Sequence, residues 1–236
     1  YTNNCELVDI KENLIDRIWK RKKKRRNSKF YILRKRSVNQ NYKQKIKNIV
    51  SDLIKQKADY KFITSSENVA WLLNIRGMDS KYSPIPNSYV LIKRNKKIKV
   101  FCNLNKISNH FKRSFNKIDF ADIKLINSNL LKLKNMKIII DTSTCSLFFE
   151  NLILKNNSIL NQEDNINNLK AIKSKKEIIN IKKTHIYDGV ALTKFIFWIK
   201  KNYIKKNITE INAERKLFRL RRKNKNFKFL SFPTIS

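Results

Sequence analysis

The sequence predicts an α/β fold: a mixed sheet flanked by helices over residues 41–165, followed by a helical pair. Three observations predict it. Short apolar runs alternate with segments whose apolar residues recur every three or four positions, the pattern of strands interleaved with helices. Two of the runs, residues 89–92 and 98–102, are joined by a basic turn at 94–97 and read as a hairpin. Finally, Ser174 and Glu177 open a periodic stretch far longer than any before it, so the architecture changes after the polar residues 161–168.

Taken in order, residues 13–19 place Leu14, Ile15, Ile18 and Trp19 in a short helical or docking segment. Seven basic residues follow at 20–26; like charges repel, so this run reads as an extended linker. Tyr42, Ile46, Ile49, Val50, Leu53 and Ile54 then recur at spacings of three and four, an amphipathic helix. Residues 62–64 predict a strand. Ser65 and Ser66 supply N-cap chemistry for a helix carrying Val69, Trp71, Leu72 and Ile75, which Arg76 and Gly77 break. Pro84 and Pro86 hold the next loop extended. Beyond the hairpin, residues 107–115 predict a helix, 123–126 a strand and 130–133 a small helix. The isoleucine run in 137–141 resembles a buried strand, with 146–154 a helix packed on it.

These readings divide the chain into a tail (1–19), a basic linker (20–40), an α/β domain (41–165) and a C-terminal unit (166–236). Ser174 and Glu177 form a capping-box pattern, in which hydroxyl and carboxylate satisfy orphan amides reciprocally. The helix after it, about 28 residues long, exceeds the usual globular length. It carries Ile178, Ile181, His185, Gly189, Leu192, Ile196 and Ile199 on one face. Gly189 costs about 1 kcal/mol against Ala inside a helix, which predicts another backbone packed against it. Thr209 caps a second helix bearing Ile211, Ala213, Leu217, Phe218 and Leu220, and residues 227–232 predict a strand. Two helices and one unpartnered strand do not make a finished domain.

Composition bounds the function. With 54 Lys and Arg against 18 Asp and Glu, the net charge is +36, and basic side chains neutralise phosphates and release counterions. Lysine is nevertheless spread evenly and accompanied by abundant Asn and Ile, while Gly numbers 2 and Pro 3. An AT-rich coding sequence imposes that bias, so the charge reads mainly as a solvated surface. Two clusters exceed the background: Lys20 to Arg36, and Arg215, Lys216, Arg219, Arg221, Arg222, Lys223 and Lys225 on one helix. A hydrophobic content of 41% supplies a core and argues against full disorder. No apolar run reaches the ~18 residues of a spanning helix, no secretory leader is visible, and the first residue is Tyr1. No membrane partner is expected.

Little chemistry is written in the residues. Cys5, Cys102 and Cys145 are odd in number and scattered, neither a disulfide framework nor a metal knuckle. Metal sites need clustered ligands, yet His110 and His185 are the only histidines and lie in different segments. His185 has Asp188 three residues on, but reads as a helix-face packing residue. Two glycines exclude phosphate loops of the GxGxxG type. No Gly-x-Ser-x-Gly elbow is present, and Cys145 has no signature of a nucleophile around it.

Five stretches, in order and in register, carry a resemblance. Glu12 to Trp19 (ENLIDRIW) resembles the segment joining the first two domains of long-form cytosolic aminopeptidase P, in the creatinase–prolidase metallopeptidase family. Ser66 to Asp79 (SENVAWLLNIRGMD), with Ser88 to Ile92 (SYVLI), resembles its second domain. Leu169 to Glu177 (LKAIKSKKE), Thr184 to Leu192 (THIYDGVAL) and Phe229 to Ser236 (FLSFPTIS) are similar to the opening of its catalytic domain. The resemblance implies a creatinase/prolidase N-terminal-like domain followed by an incomplete pita-bread (α+β) catalytic domain. It implies removal of an N-terminal residue that precedes proline by a dinuclear metal centre, usually manganese. It also implies a peptide substrate, room for a homodimer and a cytoplasmic location.

The family's metal ligands, two aspartates, a histidine and two glutamates, lie downstream of the segment matching Phe229 to Ser236. Its substrate-binding histidine also follows that segment, and its substrate-binding arginine lies in the first domain. No catalytic, substrate-binding or metal-ligating residue is therefore carried over, and the implied chain is a fragment that binds no cofactor and is inactive alone. The basic run after Trp19 stands where the family has a proline-rich stretch, exchanging a stiff connector for a flexible one. Arg76 and Asp79 either shape the wall of the intact cleft or, the reading given more weight, belong to a loop held by a local ion pair. Two alternatives stand beside the fragment: a nucleic-acid-binding protein using the two basic clusters, and a non-catalytic homologue that pairs with a full-length subunit.

Overall fold

A computed structural model describes residues 10, 12–19, 28–34, 37–38, 40–204 and 207–235. The basic run at 20–26 lies outside the described residues, as do Lys35 and Arg36. Helix α1 (Leu14–Ile18) is capped by Asn13 and leaves Leu14, Ile15 and Ile18 exposed. A two-residue strand, β1 (Tyr31–Ile32), precedes α2 (Tyr42–Lys55), whose N-cap Asn41 accepts from Gln44 N at 3.0 Å. Strand β2 (Tyr60–Ile63) leads into α3 (Ser66–Leu73), capped by Ser65.

Helix α3 ends earlier than expected. Asn74 adopts the left-handed conformation (φ 56°, ψ 30°), the usual asparagine stop. Ile75 therefore belongs to strand β3 (Ile75–Arg76), which pairs antiparallel with β1.

The expected hairpin is formed by β4 (Ser88–Lys93) and β5 (Ile98–Cys102). Helix α4 (Asn109–Arg113) follows a 3₁₀ turn at Leu104–Lys106 and is shorter than expected, because Ser108 caps its start, accepting from Phe111 N at 3.1 Å, and Ser114 caps its end. The next strand is β6 (Ile118–Asp122), not 123–126. Asp122 accepts from Lys124 N at 2.9 Å and ends the strand by capping a 3₁₀ turn, so the apolar residues beyond it enter α5 (Ile126–Leu131). Strand β7 (Lys137–Ile140) and α6 (Leu147–Leu154, capped by Ser146) follow as read. Strand β8 (Ser158–Asn161) and helix α7 (Ile166–Ala171) have no counterpart in the sequence reading.

Six strands form one sheet in the order β6-β5-β4-β2-β7-β8. The β2–β4 and β4–β5 pairs are antiparallel, and the β5–β6, β2–β7 and β7–β8 pairs parallel. Strand alternation sorts the core into two halves. Ile63, Val90, Ile92, Val100 and Ile139 pack with Ile46, Ile49 and Leu53 of α2 and Val69 and Leu72 of α3. Phe62, Leu91, Phe101, Ile138 and Ile140 pack with Leu130 of α5 and Leu152 and Ile153 of α6. A sheet covered on both faces needs apolar side chains on both, which is why these strands read as continuous runs.

Helix α8 (Lys175–Asn202) spans 28 residues and opens on the capping box, Ser174 N donating to Glu177 Oε2 at 2.8 Å. It packs along α9 (Glu210–Arg222), capped by Thr209. Phe195 stacks on Trp198, with ring centroids 6.3 Å apart, and Lys216 lies over the Trp198 ring at 5.2 Å. Two expectations fail here. A Cβ on Gly189 would meet nothing within 4 Å, so no described backbone packs against it. Residues 227–232 form no strand; instead Phe227 turns back to set its ring edge-on against Phe218 at 5.8 Å.

Candidate functional site

The groups that could do chemistry lie apart. His110 and His185 are both exposed, on α4 and α8. Asp188 serves Arg221 rather than His185, accepting from Nε at 2.7 Å and Nη2 at 3.1 Å. Burial pushes the Cys102 thiol up to about 12, helped by the charge of Asp122, and the Cys145 thiol up to about 11, helped by Glu150 and Asp141. Both are poor nucleophiles, since the thiolate is the reactive form. Among the described residues no group of three or more His, Cys, Asp or Glu is placed to hold a metal ion. In the second basic cluster, Arg215, Arg219, Arg222, Lys223 and Lys225 face solvent, while Arg221 and Lys216 are engaged with α8.

Arg76 and Asp79 part company. Arg76 Nη1 donates to the carbonyls of Ala70 and Ile75, each at 2.8 Å, finishing α3. Asp79 pairs with Lys106 and accepts from Asn87 N at 2.7 Å. The local ion pair thus has Lys106, not Arg76, as its cation, and it ties the loop to the 3₁₀ turn after β5. Gly77 lies at the tightest point of this loop, where a Cβ would stand 2.9 Å from Pro86 Cα.

Two buried lysines join the helical layer to the chain around it. Lys45 on α2 is 5% exposed; its ammonium donates to Trp71 O and Asn74 Oδ1, both at 2.7 Å, and lies 3.8 Å from the Trp71 ring centroid. Burial lowers its pKa to about 8, with the Glu177 carboxylate opposing the shift and Arg76 adding to it. Asn74 in turn donates to Gln40 O at 2.8 Å. Beside it a cleft of about 490 Å³ is lined by Ile32, Tyr42, Leu73, Asn74 and Phe115.

Lys61 on β2 is 2% exposed and pairs with Asp164 Oδ1 at 3.0 Å. Asn68 on α3, fully buried, donates to Asp164 Oδ2 at 2.7 Å and accepts from Lys170 Nζ at 2.6 Å. Asp164 N donates to Asp141 Oδ2 at 2.9 Å. Burial alone would raise the pKa of Asp141, but hydrogen bonds from Ser143 and from Asp164 N hold it below the ordinary carboxylate value. No local period or motif in the sequence marks this network. One signal was available: a lysine within the strand run Tyr60 to Ile63, where alternation points it inward. The arrangement can position; it offers no nucleophile and no open ligand set.

A family model of the creatinase/prolidase N-terminal domain matches residues 21–177. The chain belongs to the creatinase/prolidase N-terminal domain family. Xaa-Pro aminopeptidase 1 of Dictyostelium discoideum is 32% identical over an alignment covering 97% of this chain and 39% of its own length. A probable Xaa-Pro aminopeptidase P of Laccaria bicolor is 30% identical over 98% of this chain and 37% of its own length. Among solved structures, the X-prolyl aminopeptidase of Caenorhabditis elegans, described as a cytosolic enzyme with a di-nuclear active site, covers 95% of this chain with a TM-score of 0.85 at 25% identity. The prolidase of Pyrococcus horikoshii, at 19% identity and a TM-score of 0.52 over 76% of this chain, shares the fold.

The creatinase/prolidase N-terminal fold is therefore what the mixed sheet and its flanking helices make. The chain spans 37–39% of the length of the curated relatives named above and 38% of the nematode enzyme. No helix among the described residues is long and apolar enough to cross a membrane.

Proposed function

We propose that this chain is a portion of an Xaa-Pro aminopeptidase, an enzyme that hydrolyses the bond between an N-terminal residue and a following proline. One observation carries the reading: the nematode X-prolyl aminopeptidase follows this chain over 95% of its length, while the chain accounts for only 38% of that enzyme. In this reading residues 1–19 are the tail of a preceding domain and 20–40 a linker. Residues 41–165 are the creatinase-like domain, and 166–236 the first part of a pita-bread peptidase domain, with α7 at the junction.

The relative's di-nuclear centre implies two metal ions, for which manganese is the family's usual choice; such a centre activates water and polarises the scissile carbonyl. The donor set described here does not fit one, because the histidines are apart and the carboxylates at Asp79, Asp141 and Asp164 are committed to lysines and amides. No hydrolytic step is assigned to these residues. Their part is to build a rigid wall beside the reaction chamber and to launch α8. That helix exposes Ile178, Ile181, Ile186, Tyr187 and Phe197 over more than half of its circumference, as suits a helix destined for burial. The cytosol, a homodimer and peptides with proline second belong to the same proposal.

Two assays test it. The purified 236-residue chain with added manganese is expected to release no N-terminal residue from an Xaa-Pro peptide. A chimera in which this chain replaces the matching segment of the Dictyostelium relative is expected to retain release. Chelator-sensitive release by the chain alone, or a folded chimera that binds metal but is inactive, would overturn the reading.

A further inference from the structure

Lys61 breaks the local rule of its strand. It sits in β2, an interior strand paired on both sides, and its side chain is only 3% exposed. An apolar residue would fill the same space without desolvating a charge, and buried ion pairs are often no more stabilising than the apolar groups that could replace them. What a fully satisfied polar network supplies instead is uniqueness of arrangement.

The partners show which arrangement is fixed. Lys61 meets Asp164 and, at 3.2 Å, Asn165 Oδ1. Asn68 holds both Asp164 and Lys170. Asn165 Nδ2 donates to Asp52 Oδ2 on α2 at 3.3 Å, and Asp141 receives Asp164 N. In each of these bonds one end belongs to the α/β layer and the other to residues 164–170, the last stretch before α8. Helix α8 buries only Ala191 and packs along α9; it approaches the α/β layer at its first turn, where Lys176 lines the cleft beside Asn74 and the Glu177 carboxylate acts on Lys45. Ile166, fully buried among the residues of α2 and α3, supplies the one apolar anchor in 164–170.

The geometry points to the Lys61–Asp164–Asn68–Lys170 network as an orientation clamp that fixes the direction in which the chain leaves the α/β domain and so aims the α8–α9 pair. The clamp acts whatever the intact protein's substrate is, and its test reads angle and order rather than turnover.

Spin labels at Lys117→Cys, after α4, and Lys194→Cys, on α8, both exposed positions, report the distance between domain and helix pair in the full chain with Cys5→Ser. The unmodified network is expected to give one narrow distance distribution. The apolar set Lys61→Met, Asn68→Leu and Asp164→Leu is expected to broaden it about twofold or split it, with little change in melting temperature. A broad distribution with the network intact overturns the clamp, and so does an unchanged width in the apolar set, whether or not it melts earlier. Should the apolar set fail to fold, hydrogen exchange on the unaltered network decides. Amides of α7 protected as well as those of β4 and β5 support the clamp; amides of α7 that exchange like a free linker overturn it.

Discussion

Replacing Gly77 with alanine tests how tightly the loop between β3 and β4 is closed. The added methyl would stand 2.9 Å from Pro86 Cα, 3.0 Å from Ile85 O and 3.0 Å from Phe30 Cε1. Carbon atoms in good contact sit about 3.5–4.0 Å apart, so something must retreat by roughly half an ångström or more. Two of the three neighbours are backbone, and the third belongs to a ring 5% exposed and packed on Phe111. None is the free end of a flexible side chain. Retreat would also stretch the bonds from Gly77 N to Pro84 O (3.2 Å) and from Asp79 N to Ile85 O (3.4 Å). Overpacking of this kind costs about 1–3 kcal/mol, offset by roughly 0.4–1 kcal/mol from a stiffer unfolded chain. The net expectation is a loss of about 1–2 kcal/mol, read as a urea midpoint lowered by about 0.5 M or more with an unchanged slope. An equal or higher midpoint would show that the loop is not closed as described.

The other glycine should respond in the opposite sense. Gly189→Ala meets nothing within 4 Å and is expected to stabilise α8 by about 1 kcal/mol, seen as a later loss of helical circular dichroism; an earlier loss would mean that something does pack there. For Lys45 the folded pKa of about 8 lies below the ordinary 10.5, so between those values the unfolded chain binds more protons and stability rises with pH. Against Lys45→Met as reference, the chain should gain on the order of 1–3 kcal/mol across that window, and a difference that stays flat from pH 8 upward would refute the buried ammonium. Brief trypsin treatment is expected to leave a core from near residue 40 to near residue 171, since Ile166 and Asp164 are locked into the sheet layer. First cuts within the β4–β5 hairpin would contradict that order of stability.

What was legible in the sequence is what depends on neighbours a few residues away. The capping box at Ser174, the caps at Ser65 and Thr209, and the β4–β5 hairpin each announce themselves within one turn or one loop. Strand β8 hid because its register is set by β7, while its own residues are half-exposed and polar at both ends. Strand β6 was displaced because Ile123 and Ile126 mimic a strand, whereas the preceding Asp119 and Asp122 disguise the true one. The polar junction was illegible for the same reason on a larger scale: Lys61 and Asn165 meet across 104 residues, and no local period records the partner of a buried charge. The ion pair expected within the loop at Arg76 and Asp79 is not local: the cation of Asp79 is Lys106, 27 residues away.

The position of Lys61 also bears on how the sheet is assembled. On one side β2 pairs with β4, which arrives early as part of a local hairpin; on the other it waits for β7, across a separation of 78 residues between Asp59 and Lys137. Non-local pairings form late because loop closure must precede them. In the interval β2 offers an open edge bearing Tyr60, Phe62 and Ile63, a template for pairing with another chain. A charge pointing into the future core makes that edge a poor partner for a stranger, and Asp164, made after β7, neutralises it when the rightful neighbour has docked. The same lysine thus guards the nascent sheet while one side is bare and bolts it once that side is filled.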